Sequence, residues 1–141
     1  MIQLAVVLHW VLALLCKPNN IPQLQNIILV SPWLDISNRN LKIKTIQNFN
    51  PMLDTKQLNY FGHIWSGEET DNQLGIPIHG NPEYLGKISI FVDTHKIFYP
   101  DIFEYNDKLK GLNIEHNLIV EPRMNHTYVA YPIPESKKRI K

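Results

Sequence analysis

The chain has 141 residues, 44% of them hydrophobic and 19% charged. That is one globular domain or a piece of one, with enough apolar matter for a core and too much for a disordered chain. A net charge of +1 excludes a strong general attraction to nucleic acid or to acidic surfaces. The single cysteine, Cys16, excludes an internal disulfide and a cysteine metal cluster, and a reducing, cytoplasmic setting suits it best.

Ile2 to Cys16 is almost wholly apolar, broken by Gln3 and His9. It reads as a buried helix, apolar all round. The alternative is a targeting or membrane segment, but no basic stretch precedes it and it falls short of the ~20 residues that a span needs. Lys17-Pro18-Asn19-Asn20 and Pro22 stop this helix. Asn26 to Val30 is a branched apolar run, as in a buried parallel strand. Ser31-Pro32-Trp33-Leu34-Asp35 follows, and Asp35 is expected to accept backbone amides in a turn. Residues 37–51 are polar and Asn-rich and read as a loop.

Asp54 is placed to cap a helix from about Thr55 to Trp65, with Leu58, Phe61, Ile64 and Trp65 on one face. Gly67 to Gly86 is a long connection with four glycines and two prolines, of the kind that shapes binding sites. Ile88 to Val92 is a second strand. Pro100-Asp101 opens a helix through Lys110 that Gly111 ends, and Asn113 to Val120 is a third strand. A loop with His126 then leads through Pro132 and Pro134 to Glu135–Lys141, read as the first turn of a helix. The basic cluster in that tail reads as an exposed helix face, because no aromatic platform accompanies it.

Strands alternating with helices predict an α/β fold built on a mainly parallel sheet in three layers. Three strands with two open edges make a poor sheet by themselves. The pattern wants further strands, and the place for them is before Ile2. His95 and His116 lack a third ligand at metal-binding spacing, so no metal is expected.

Several blocks, in order, resemble one family. Ile27-Ile28-Leu29-Val30-Ser31-Pro32-Trp33-Leu34-Asp35 is similar to the strand and turn after the nucleophile helix of α/β-hydrolases of the hormone-sensitive-lipase-like (fold-3) group, which includes bacterial acetyl esterases and carboxylesterases. Asn50-Pro51-Met52-Leu53-Asp54 resembles a second block. Ile90 to Asp101 and Glu121 to Pro132 resemble the acid loop and the histidine loop. The resemblance covers nearly all of the chain from Leu8 onward.

It implies a partial α/β-hydrolase fold, residues 1–141 forming the C-terminal half of one such domain. It also implies a parent activity of short acyl ester hydrolysis without a cofactor, by serine, acid and histidine. His126 falls at the triad histidine, with Asn125 and Tyr128 supporting its loop. The serine elbow would fall at Met1–Val6, which holds neither glycine nor serine, and none of the five serines of the chain sits in such an elbow. The oxyanion-hole segment has no counterpart. Lys96 falls at the acid position, where a cation opposes imidazolium formation. Asp93 or Asp101 could replace the acid only with a rebuilt loop, and Asp101 is otherwise suited to the first turn of its helix.

Two readings follow from this. One is a family member inactive alone. The other is a non-catalytic fragment that associates with a complementary chain or with itself. A small acyl ester is the expected substrate of the parent family, and nucleic acid and membrane are not expected partners. The apolar residues of the 54–65 helix, with Trp65, are expected to line an acyl pocket.

Overall fold

The computed structural model describes residues 11–13, 15–16, 21–22, 24–47, 53–67, 76–83, 85–123, 132 and 134. Its centre is the strand β2, Lys87–Asp93. Parallel ladders join it to β1, Asn26–Val30, on one side and to β3, His116–Glu121, on the other, giving the order β1-β2-β3. Alternate residues of β2 (Ile88, Ile90 and Val92) are fully buried. They stand in register with Ile27 and Leu29 on one neighbour and with Leu118 and Val120 on the other. Branched side chains at period two thus make the apolar face of the sheet. The architecture is the expected three-layer α/β arrangement, a parallel sheet flanked by helices.

Residues 11–13 and 15–16 are helical (α1). Val11 and Ala13 enter the core, while Leu12 is 52% exposed, so this stretch is two-sided rather than buried all round. The rest of the run from Ile2 lies outside the described residues. Among the described residues, no helix is long and apolar enough to cross a membrane.

The segment expected to be loop contains a short helix, α2, Ile43–Gln47. Asn40 Oδ1 accepts from the Lys42 amide at 3.1 Å and starts the turn, and Ile43 anchors it in the core. One buried isoleucine in a polar stretch leaves no helical periodicity to read, because tertiary burial decides the outcome.

Helix α3, Thr55–Ser66, begins where expected: Asp54 is its N-cap and accepts from the Lys56 amide at 3.0 Å. Its packed stripe differs from the expected one. Leu58 and Gly62 are buried and Trp65 is half-buried, whereas Phe61 is 40% and Ile64 61% exposed. The cause is Gly62, whose bare Cα lets the helix lie directly against the backbone of Ile36. The contact stripe becomes 58, 62 and 65, which turns 61 and 64 outward.

Helix α4, Tyr99–Gly111, packs Ile102, Tyr105 and Leu109 at i, i+3 and i+7 into the core. Gly111 is its last helical residue and not the stop. The left-handed residue that reverses the chain is Asn113, φ 55°, and the amides of Leu112, Asn113 and Ile114 close the last turn onto Lys108, Lys110 and Leu109. Strand β3 therefore starts at His116 rather than at 113.

Gly62→Ala tests the close approach. Alanine should favour an isolated helix by about 1 kcal/mol, but a Cβ here would run into the carbonyl of Ile36, and overpacking against backbone costs about 1–3 kcal/mol. Net destabilisation in urea unfolding is expected. A more stable variant would contradict the packing described.

Candidate active site

In parallel α/β sheets, chemistry gathers at the carboxyl ends of the strands. Here β2 ends at Asp93, in register with Glu121 at the end of β3. The Thr94 amide donates to Glu121 O at 3.3 Å, so the turn after β2 is fastened to the start of the segment that leads to His126. Asp93 Oδ1 accepts from the His95 amide at 2.8 Å. Asp93 Oδ2 lies 3.8 Å from Lys96 Nζ, an ion pair too long for a hydrogen bond, and the two side chains are 1% and 3% exposed.

Burial raises the Asp93 carboxyl above its ordinary range, against the lowering effect of the His95 amide and of Lys96. Burial likewise lowers the Lys96 ammonium to about 8, against the opposing effect of Asp93. Lys96 is thus a buried cation with Asp93 as its counterion.

Asp101 stands in the first turn of α4 and is 2% exposed. Its Oδ1 accepts from Asn40 Nδ2 at 2.9 Å, and its Oδ2 has no hydrogen-bond partner among the described residues. Desolvation pushes it up to about 7. The Asn40 hydrogen bond opposes this, and the nearby charges of Asp35 and Glu104 reinforce it. Asp101 and Asn40 both line a cleft of about 740 Å³ between α4 and residues 35–46, which Asp93 and Lys96 do not line.

Asp35 accepts from the amide of Ser37 at 2.8 Å and from its hydroxyl. Trp33 Nε1 donates to Asn38 Oδ1 at 3.0 Å, and its ring stacks on Phe98 with centroids 5.8 Å apart. The 33–38 segment is therefore a built turn, as the sequence suggested.

His116 is held by Ile114 O at 2.7 Å and Asn106 Oδ1 at 3.2 Å. Among the described residues, no group of three or more His, Cys, Asp or Glu side chains is arranged to hold a metal. His126, Asn125, Tyr128 and the elbow position Met1–Val6 lie outside the described residues.

Two features escaped the sequence reading. The i, i+3 pairing of Asp93 with Lys96 was visible as spacing, but its burial was not. The Asn40–Asp101 contact joins residues 61 apart, and no local pattern announces it.

With this geometry in hand, the profile of the alpha/beta hydrolase fold matches residues 7–130. The chain belongs to the alpha/beta hydrolase fold family. No curated protein matches it in sequence.

Among solved structures, this alpha/beta hydrolase chain is similar to a candidate esterase from Staphylococcus aureus (24% identity, TM-score 0.87, 96% of this chain and 47% of that one). It is also similar to EstE5 in a crystal soaked by p-nitrophenyl butyrate (22%, 0.84, 96% and 46%). A third is an esterase from the bacterial hormone-sensitive lipase family (17%, 0.86, 96% and 46%). At these identities the likeness shows the fold alone. The chain spans a little under half the length of each of these structures.

Two outcomes test the electrostatics. Asp101 holds its proton more tightly folded than unfolded, so its contribution to stability is full below pH about 4. It is lost as the pH rises to about 7, by up to about 4 kcal/mol. Asp101→Asn should remove that slope and be the more stable protein at pH 8, in urea unfolding from pH 4 to 8. Lys96→Asp should place two carboxylates together in the core and cost about 3 kcal/mol or more. A variant within about 1 kcal/mol of the parent would show that the pair is not buried in solution.

Proposed function

We propose that this chain is the C-terminal half of a serine-dependent ester hydrolase domain and carries out no ester hydrolysis alone. The parent reaction is attack of a serine on the carbonyl of a short acyl ester. The counterpart of His126 takes the serine proton, an acid steadies the imidazolium, and water then releases the acyl group. In this reading His126 keeps the inherited histidine position.

The observation that carries the proposal is the buried Lys96–Asp93 pair at the aligned acid position. A triad acid must be an unneutralised carboxylate facing the histidine, and here the aligned residue is a cation. Asp101, the remaining candidate acid, has one carboxylate oxygen engaged by Asn40. The sequence 1–6, Met-Ile-Gln-Leu-Ala-Val, offers no nucleophile at the position where the resemblance puts the elbow.

A second reading has a specific observation behind it. Ile28, in the middle of β1, is 68% exposed, and Ile21 and Leu24 nearby in sequence are 54% and 56% exposed. Parallel strands are normally covered on both faces. An apolar residue this open on such a strand favours association with a complementary polypeptide or with a second copy.

Hydrolysis of p-nitrophenyl butyrate by the purified chain, by His126→Ala and by Lys96→Glu tests the first reading. Background rates in all three are expected. A parent rate well above background that collapses in His126→Ala would overturn it, as would serine-dependent turnover in Lys96→Glu.

A further inference from the structure

Strand β1 has a partner strand on one side only among the described residues. The bonds at the two ends of its ladder set which groups face outward. The Lys87 amide donates to Gln25 O at 3.0 Å, and the Ser31 amide donates to Phe91 O at 2.7 Å. In a parallel pair, residues of a strand that bond to the neighbour alternate with residues that do not. Residues 25, 27, 29 and 31 therefore face β2, and the amides and carbonyls of Asn26, Ile28 and Val30 point to the open edge. Ser31, φ 46°, ends the strand, and Pro32 beyond it has no amide to give.

Such an edge is a template for another strand, and chains normally guard it with a charge, a proline or a bulge. This one is unguarded. Residues 26–30 hold neither a charge nor a proline, and residues 18–34 carry no charged side chain. At its centre stands Ile28, 68% exposed.

A second copy of the chain fits the edge by symmetry. The outward residues 26, 28 and 30 are spaced evenly about Ile28. A twofold axis there, perpendicular to the sheet, lays β1 antiparallel to itself, with Asn26 opposite Val30 and Ile28 opposite Ile28. Opposed outward residues of an antiparallel pair exchange two hydrogen bonds, so the three pairs make six bonds and use every outward group of the strand. Opposed residues share a face. The two Ile28 side chains thus cover each other, and Ile27 meets Leu29 on the buried face, which extends its apolar row. At about one hydrogen bond per 100–200 Å², six bonds correspond to about 600–1,200 Å², the size of a weak, reversible interface.

The edge of β3 fails the same test. The Ile88 amide donates to Glu115 O and the Thr94 amide to Glu121 O, which leaves His116, Leu118 and Val120 outward. A twofold axis at Leu118 would set Glu115 opposite Glu121 of a second copy at both ends, and like charges directly opposite are destabilising.

We infer, on the association reading above and independently of ester hydrolysis, that two copies of this chain pair antiparallel through β1 about an axis at Ile28, making one continuous six-stranded sheet. The twofold closes the assembly at a dimer.

The test is sedimentation equilibrium of the purified full chain from about 1 to 200 µM, with residue-resolved hydrogen exchange at both ends of that range. A monomer–dimer equilibrium with Kd of about 10–100 µM is expected. Ile28→Lys, at a position exposed in the monomer, should keep the parent's unfolding curve and raise Kd about tenfold or more, because two ammonium groups then meet at the axis. Ile28→Val should dimerise like the parent. In the dilute sample the Ile27 and Leu29 amides should be protected, whereas those of Asn26, Ile28 and Val30 exchange freely. At 200 µM the latter three should slow by about threefold to sevenfold, following the fraction of monomer left at that Kd.

A monomer throughout the range would overturn the inference and remove the second copy from the association reading. A dimer that Ile28→Lys leaves intact, or one that slows the outward amides of β3 in place of those of β1, would overturn the inference while association itself stands. So would oligomers that grow beyond two.

Discussion

The structure depends on the complete burial of one face of β2. Both ladders of the sheet run through this one strand, and Ile88, Ile90 and Val92 leave no surface to water. A register slip of one residue would carry these three to the opposite face. That constraint fixes where β2 ends, and hence where Asp93 and Lys96 enter the interior. It also fixes the start of α4, six residues after Asp93. The charged groups of the site sit where they do because the isoleucines before them cannot move.

The burial has an electrostatic consequence. Asp93, Lys96 and Asp101 all lie at the carboxyl end of β2 or just beyond it, each 3% exposed or less. They meet desolvation differently. Asp93 and Lys96 offset each other's charge, whereas Asp101 faces Asp35 and Glu104, which add to its cost of ionisation. The pair balances its own charges, whereas Asp101 has a donor, Asn40, on one oxygen only among the described residues.

Much of the fold was legible in the sequence because its signals are local. The branched run 26–30, the Asp54 cap and the proline at the start of α4 each state their structure within a few residues. Their order is enough for a parallel α/β sheet. What could not be read depends on contacts between distant segments. Ile43 makes α2 by reaching the core, Gly62 rotates α3 by meeting Ile36, and Asn113 takes the left-handed turn that Gly111 seemed suited to.

The candidate site divides in the same way. Lys96 stands out in sequence by its place in the acid-loop block, and Asp35 by its turn. The environment of Asp101 depends on Asn40, 61 residues away, and no pattern in either segment foretells it.

Lys108 has a consequence for how this architecture can vary over evolution. Its ammonium takes the place of two backbone donors and ties α4 to the carbonyls of Ile78 and Gly80. A connection held at its far end by a side chain from another element does not rely on its own length for its position. Residues inserted or lost upstream of Ile76 would leave that attachment point intact. The long glycine-containing connection is thus a place where the lineage can change chain length while the wall beside α4 stays as it is.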